Sequence, residues 1–391
     1  MSMVRPPSFF ELCRAEPFRI FFPLGLLVGI SGVSLWPLYF SGLHKFYPGV
    51  MHARMMIEGF LGAFVLGFLG TAMPRLTGTG PFSRLELTTL LALYIGAVGT
   101  HIAERYLAAD CIFLALLITF ALLMGKRFTR RTDLPPPGFL LVIFGFFNAI
   151  AGTALLIHGS LGEGSAHSAL FGTQLLYQGF VLYLVLGVGG FLLPRFLQLP
   201  EPEFPESRTP SPEWNKRAAF ALAIGFLLLA TFAADLWAPR WMALTRAILA
   251  GTFLFTQIPF HRNVIPRLTL TAGLLAALFF IVIGLVFPAL WPAQRVAADH
   301  MVFIGGFTLL TLTVATRVVL GHGGQSHLFT TGLPFLKNTI LLLLAGMILR
   351  VAGDFIPANR GSLLSYASYL WMFAAILWGW CVLPKVRISD Q

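Results

Sequence analysis

One apolar stretch of the chain, residues 52–78, begins with a histidine and carries charged residues inside it. Its sequence is HARMMIEGFLGAFVLGFLGTAMPRLTG. At 100° per residue, a helix places His52, Met56, Gly59 and further small residues on one narrow face. A histidine nitrogen above a surface with little side-chain bulk could bind the metal of a planar cofactor lying against the helix. Close helix packing is the more common use of such a small-residue face in membrane helices.

Histidines recur near the ends of the membrane spans described below. Six fall at the outer ends: His44, His52, His101, His158, His167 and His300. The other three fall at the cytoplasmic ends: His261, His322 and His327. Imidazole is a common ligand of haem iron, copper and zinc. No two of these histidines lie three or four residues apart, so a metal site must draw its ligands from different helices.

His52 and His300 are the strongest pair of candidate ligands. Each begins a span that descends from the outer side, so both rings lie at a similar depth and could bind one haem iron from opposite faces. His322 lies 22 residues beyond His300, which is about 33 Å along a helix. It therefore belongs to a second site or to the cytoplasmic surface. His101 and His167 are weaker candidates for metal ligands.

Charged residues inside the apolar stretch need an explanation, because charges within a membrane span are costly. Arg54 and Glu58 are four residues apart and can form an ion pair on the side of the helix away from His52. A structural pair, a contact to a haem propionate and a part in a proton path all remain open. Arg317, near the end of a later span, is expected to extend its guanidinium to the cytoplasmic interface.

The composition is that of an integral membrane protein. Hydrophobic residues make up 57% and charged residues 11% of the chain, whereas soluble domains average about 25% charged residues. Apolar segments of roughly 20 residues follow one another, which predicts an all-α polytopic fold. The N-terminal residues contain no apolar core, so no cleavable signal peptide is expected. The three cysteines are far apart in sequence and indicate neither a disulfide nor a zinc site.

The hydropathy pattern predicts twelve transmembrane helices. They cover residues 19–41, 52–76, 85–103, 105–125, 138–159, 167–193, 215–235, 240–259, 267–290, 297–320, 334–353 and 364–384. An even number places both termini on one side, and 19 of the 27 Lys and Arg residues fall on that side. The positive-inside rule then predicts cytoplasmic termini. The net charge of +11 reflects this topology, and we expect no nucleic-acid partner.

A Pro- and Glu-rich segment at residues 196–214 predicts a cytoplasmic linker within one integral membrane domain. It separates a first six-helix half, residues 1–195, from a second half, residues 215–391. Twelve helices in two halves also suit a secondary transporter, the main alternative function. A transporter places its polar sites near the midplane, whereas these histidines lie near the membrane faces. A structural assembly subunit whose histidines bind no ligand is a third reading.

Three stretches of the chain resemble signatures of the NnrS family of bacterial membrane proteins. Residues 52–60, HARMMIEGF, are similar to the family pattern HAHEMLFGF, and residues 67–78 match GFL-TA-P-TG. Residues 316–324 match TR--LGH-G, after His300 and a glycine-rich helix. The resemblance implies a bacterial inner-membrane protein with twelve spans, associated with nitric oxide and denitrification and containing haem and copper.

The chain departs from the family pattern at one signature. Arg54 stands where the family has a second histidine, and Met55 stands where it has a glutamate. Because His52, His300 and His322 are retained, the resemblance implies a haem, b-type by expectation, more strongly than it implies copper. Besides the two iron ligands, the expected haem contacts are Met56, Gly59 and Arg54. Nitric oxide or a similar gas is the expected ligand, and neither the electron donor nor any catalytic residue is identified.

A more distant resemblance is to subunit I of the haem-copper oxidases. There too, histidines at the outer ends of helices 2 and 10 hold a haem. The paired histidines that hold copper in those enzymes have no counterpart, and Ala298 lies two residues before His300. The resemblance therefore implies a similar fold, but not the reduction of oxygen or nitric oxide at a binuclear centre.

Overall fold

Helices dominate the computed structural model, which describes residues 8–197, 199, 209–258 and 268–388. This part of the chain contains no strand, because in lipid a helix satisfies its backbone hydrogen bonds within one segment. We number the helices α1 (Phe9–Ala15), α2 (Phe18–Phe40), α3 (Gly49–Leu76), α4 (Arg84–Ile102), α5 (Tyr106–Thr129), α6 (Phe139–Ser160), α7 (Ala166–Phe196), α8 (Pro212–Ala234), α9 (Pro239–Gln257), α10 (Thr269–Leu290), α11 (Pro292–His322), α12 (Pro334–Phe355) and α13 (Pro357–Arg387).

Eleven of these helices are long and apolar enough to cross a membrane, which confirms the all-α polytopic fold. The remaining predicted span, residues 240–259, coincides with α9, a 19-residue helix that is less apolar. Its Arg246 is buried and donates hydrogen bonds to Asp235 at 2.9 Å and to Gln178 at 2.9 Å. The arginine thereby ties α9 to α7 and to the end of α8.

Several helices begin earlier than the hydropathy pattern predicts. The span expected to start at residue 297 starts at Pro292, and the one expected at residue 364 starts at Pro357. Both begin with a short 3₁₀ turn, and proline is well suited to the first turn of a helix. Polar residues in these first turns lower the hydropathy without ending the helix.

Both described ends of the chain lie at the same end of the bundle. Arg19, at the start of α2, donates a hydrogen bond to the carbonyl of Ile388 at 2.8 Å and another to the carbonyl of Val386. The even number of predicted crossings agrees with this arrangement. The expected linker lies mostly outside the described residues, at 198 and 200–208, so the division into two halves stays a prediction.

Small residues allow α2 and α3 to pack closely. A Cβ added at Gly25 would lie 2.8 Å from the Cβ of Ala63, and one added at Gly67 would lie 2.9 Å from the Cα of Phe18. A Cβ at Gly59 would overlap with Val28. The small-residue face of α3 is thus a helix-packing surface, the alternative that membrane helices use most often.

Three of the long helices contain a π-helical segment. These segments are Met55–Leu61 in α3, Leu175–Gly179 in α7 and Met301–Thr308 in α11. A π segment has more residues per turn than an α-helix, so it rotates the faces of the helix on its two sides relative to each other. Such segments occur frequently at functional sites. Here they converge on one cavity.

The membrane orientation is open to a direct experiment. Reporter fusions after Gly162, in the loop between α6 and α7, and after Pro210, before α8, should report the outer and the cytoplasmic side respectively. The expected result follows from the excess of Lys and Arg on the side that holds the chain ends. Activity of the same reporter at both positions would contradict the scheme.

Candidate functional site

The two histidines singled out from the sequence come together near the ends of their helices that lie away from the described chain ends. His52 lies in the first turns of α3, and His300 directly precedes the π segment of α11. Their ring centroids are 6.5 Å apart and their planes are inclined by only 8°. The two rings, 248 residues apart in sequence, form a parallel pair.

Backbone carbonyls orient both imidazoles in the same way. The Nδ1–H of His52 donates to the carbonyl of Gly32 in α2 at 2.9 Å. The Nδ1–H of His300 donates to the carbonyl of Val296, one turn earlier, at 2.7 Å. A carbonyl can only accept, so Nδ1 carries the proton and Nε2 keeps its lone pair in each neutral ring. Histidines that bind metals commonly have this second hydrogen bond.

The distance between the rings fits a metal placed between them. Two imidazoles that bind one ion from opposite sides, each at a nitrogen–metal distance of about 2.0 Å, hold their ring centroids roughly 6 Å apart. The separation of 6.5 Å lies close to that value. A two-histidine donor set on opposite sides is suited to the axial positions of a haem iron.

A cavity of about 110 Å³ adjoins the histidine pair. Its walls are mostly apolar and aromatic, and they include Val33, Trp36, His52, Met56, Ile57, Tyr177, His300, Phe303, Ile304, Thr308, Arg350, Leu364 and Trp371. The glycines after His300 point elsewhere: Cβ atoms at Gly305 and Gly306 would meet Phe280 and Ile281 of α10.

The cavity wall also carries positive charge. Arg350 is 7% exposed, and its ion-pair partner Asp354, at 3.2 Å, is shared with Arg360 at 3.3 Å. One carboxylate between two guanidinium groups leaves an excess of one positive charge. The ion pair of Arg350 with Asp354 is made by its Nη1. The indole Nε1–H of Trp371 is buried and has no hydrogen-bond acceptor among the described residues. Both side chains could donate to an acidic substituent of a bound cofactor.

Only one of the three further haem contacts expected from the sequence lies at this cavity. Met56 is part of its wall. Gly59 instead packs against Val28, and the guanidinium of Arg54 is directed towards α5. The expectation for Gly59 assumed a regular α-helix, whereas the π segment at Met55–Leu61 changes the angle between this residue and His52. Arg54 precedes that segment, and its guanidinium is bound by Asp110 and Glu58.

Arg54 is the centre of a second buried group of polar side chains. It forms ion pairs with Asp110 at 2.8 Å and with Glu58 at 3.2 Å, so the predicted Arg54–Glu58 pair is present. His101 Nε2 lies 3.0 Å from Glu58 Oε2. All four side chains are at most 6% exposed. Sequence reasoning missed Asp110, although it is the only acidic residue of α5.

The net charge of this group of four side chains becomes zero when the group binds one proton. One guanidinium faces two carboxylates, so the set has a net charge of −1 with His101 neutral and zero with one added proton. Ligand atoms of Glu58, His101 and Asp110 lie within 4.8 Å of one another, but Arg54 already supplies a cation there. Tyr177 lies between the two sites, since its ring centroid is 5.8 Å from the guanidinium carbon of Arg54 and it also lines the histidine cavity.

The other candidate histidines are apart from the pair. His322 accepts a hydrogen bond from Arg75 at Nε2 and donates from Nδ1 to the carbonyl of Val318 at 2.8 Å. His167 is exposed at the start of α7. His158 lies 3.5 Å from Glu163 at the surface. His261 lies outside the described residues.

The sequence model of the NnrS protein family matches residues 13–387, nearly the whole chain. No curated protein matches it.

Proposed function

Because this chain belongs to the NnrS family of membrane proteins related to nitric oxide, we propose that His52 and His300 bind one b-type haem as its two axial ligands. The site lies near the end of the bundle opposite the chain ends, which is the periplasmic side if the termini are cytoplasmic. We further propose that the protein has a redox or gas-handling role in the bacterial inner membrane.

The main support for the proposal is the geometry of the two imidazoles. The two imidazoles are near-parallel, 6.5 Å apart between centroids, and each has its Nδ1 bound to a backbone carbonyl. A ring separation of this size and a free Nε2 on both rings are what ligation of one iron by the two histidines needs.

The residues of the chain prepare the site before the cofactor enters. The carbonyls of Gly32 and Val296 hold both rings in the tautomer whose Nε2 can bind a metal. Arg350, whose partner Asp354 is shared with Arg360, and the indole N–H of Trp371, which has no acceptor, would bind the propionates. The apolar wall excludes water from the remaining surface.

Haem held by His52 and His300 would supply a one-electron couple and an iron that can bind a diatomic gas. His300 has only a local carbonyl bond, one turn back on its own helix, whereas the ring of His52 is bound to a neighbouring helix. The chain therefore orients the ring of His52 more firmly than that of His300.

The test is an absorption spectrum of the detergent-purified protein, oxidised and dithionite-reduced, with haem and metal contents from the same sample. We expect one haem per chain with the bands of six-coordinate, low-spin b-type haem. Copper is measured in parallel, because the family resemblance implies it while Arg54 replaces one of the family's histidines. A preparation that holds no haem after expression with haem precursor, and takes up none on titration, would contradict the proposal.

A further inference from the structure

A second polar cavity lies at the other end of the bundle, near both chain ends. It has a volume of about 450 Å³ and lies between the ends of α3, α7 and α11 that are near the chain ends. Three arginines and one glutamate line it: Arg75, Arg195, Arg317 and Glu16. Glu16 already forms ion pairs with Arg19 and Arg75. The cavity wall is therefore positively charged.

Arg317 is the residue that most needs a partner. Its guanidinium carbon lies 4.6 Å from the ring centroid of Phe196 and 4.1 Å from that of Phe329. Among residues 8–197, 199, 209–258 and 268–388, no carboxylate forms an ion pair with it, and its side chain is half-buried. Two aromatic rings fix the guanidinium in position while leaving its N–H groups for another acceptor. An arginine that only extended its side chain to the membrane interface, as expected from the sequence, would not need an aromatic ring on each side of its guanidinium.

The charged cavity continues into an apolar one. A cavity of about 120 Å³ lies between the same three helices and shares Phe68, Leu192 and Phe196 with it. The wall of this second cavity is aliphatic and aromatic, with Thr311 as its one side chain bearing a polar group. The combined space has an acid-binding end and a hydrocarbon-binding end.

We propose that this combined space binds an anionic phospholipid. Its phosphate would accept hydrogen bonds from Arg317 and Arg75, and one acyl chain would occupy the apolar cavity. Basic pockets between transmembrane helices are suited to acidic headgroups, and guanidinium–phosphate pairs are strong because both partners are charged. A free phosphate would leave the apolar cavity without an occupant, and a zwitterionic lipid would bring a cation towards the arginines. The proposal is independent of the haem.

Lipid binding can be measured on the full chain by native mass spectrometry and by thermal unfolding in neutral detergent. The probes are dioleoyl phosphatidylglycerol, dioleoyl phosphatidylcholine and inorganic phosphate. We expect one tightly bound phosphatidylglycerol that raises the melting temperature more than the other two probes do. Arg317→Gln removes a charge-assisted contact and should weaken this binding by at least about tenfold.

Two further variants keep the test decisive. Arg84→Gln removes an exposed arginine at the same end of the bundle and should change nothing. Val185→Phe narrows the apolar cavity without touching the arginines, so it should weaken lipid binding while sparing any effect of phosphate; it also serves if Arg317→Gln fails to fold. Equal binding of the two lipids, or unchanged binding in Arg317→Gln, would overturn the proposal. Equal protection by phosphate, with Val185→Phe like the wild type, would replace it with a small-anion site.

Discussion

Alanine at position 52 or position 300 is expected to remove the haem or to convert six-coordinate, low-spin iron to a five-coordinate, high-spin form. Each substitution deletes one of the two proposed ligand nitrogens, while the carbonyl partners and the apolar walls remain. The measurement is the Soret and α bands of the purified variants, together with haem content per chain. His52→Ala should have the larger effect on haem retention, because its ring is held by a separate helix.

His322→Ala and His167→Ala are the matched controls for these variants. His322 is bound to Arg75 and Val318 and lies about 33 Å along the helix from His300. His167 is exposed. Both controls should keep the spectrum of the wild type. Full haem occupancy with unaltered bands in His52→Ala and in His300→Ala would show that these residues are not the ligands.

A large loss of stability is expected when the cation of the Arg54 group is removed. Arg54→Gln leaves the two buried carboxylates of Glu58 and Asp110 without the guanidinium that pairs with both. Breaking a buried ion pair by changing one partner typically costs about 3–5 kcal/mol. The measurement is thermal unfolding in detergent, and this variant should melt well below the wild type, whereas Glu58→Gln, which leaves Arg54 paired with Asp110, should lose less.

Glu163→Gln is the matched control, because it changes an exposed carboxylate that lies 3.5 Å from His158. Exposed pairs contribute only about 0–1 kcal/mol, so its melting curve should match that of the wild type. The double variant Arg54→Gln, Glu58→Gln should be less unstable than the sum of its single variants, since the two side chains interact directly. Additive losses, or unchanged melting in both single variants, would mean that the ion pair does not stabilise the fold.

The residue sequence by itself determined the class of fold and the depth of the main site. Apolar segments of bilayer length require helices, and their number and basic asymmetry predict which end each histidine occupies. That was enough to propose His52 and His300 as a pair, because two side chains can bind one metal ion only if they lie at a similar depth in the membrane. The spacing of Arg54 and Glu58 likewise predicted their ion pair.

Tertiary structure alone decided what surrounds these residues. Hydropathy gives the depth of a side chain but not the neighbouring helix that it faces, so Gly32, Arg350 and Asp110 could not be assigned as partners in advance. The helical wheel places Gly59 on the face of His52 by assuming a constant 100° per residue, whereas a π segment changes that angle within the same helix and Gly59 packs against Val28. The partners of a side chain depend on how its helix is rotated about its own axis and on which distant helices pack against it. No local pattern in the sequence encodes either of these.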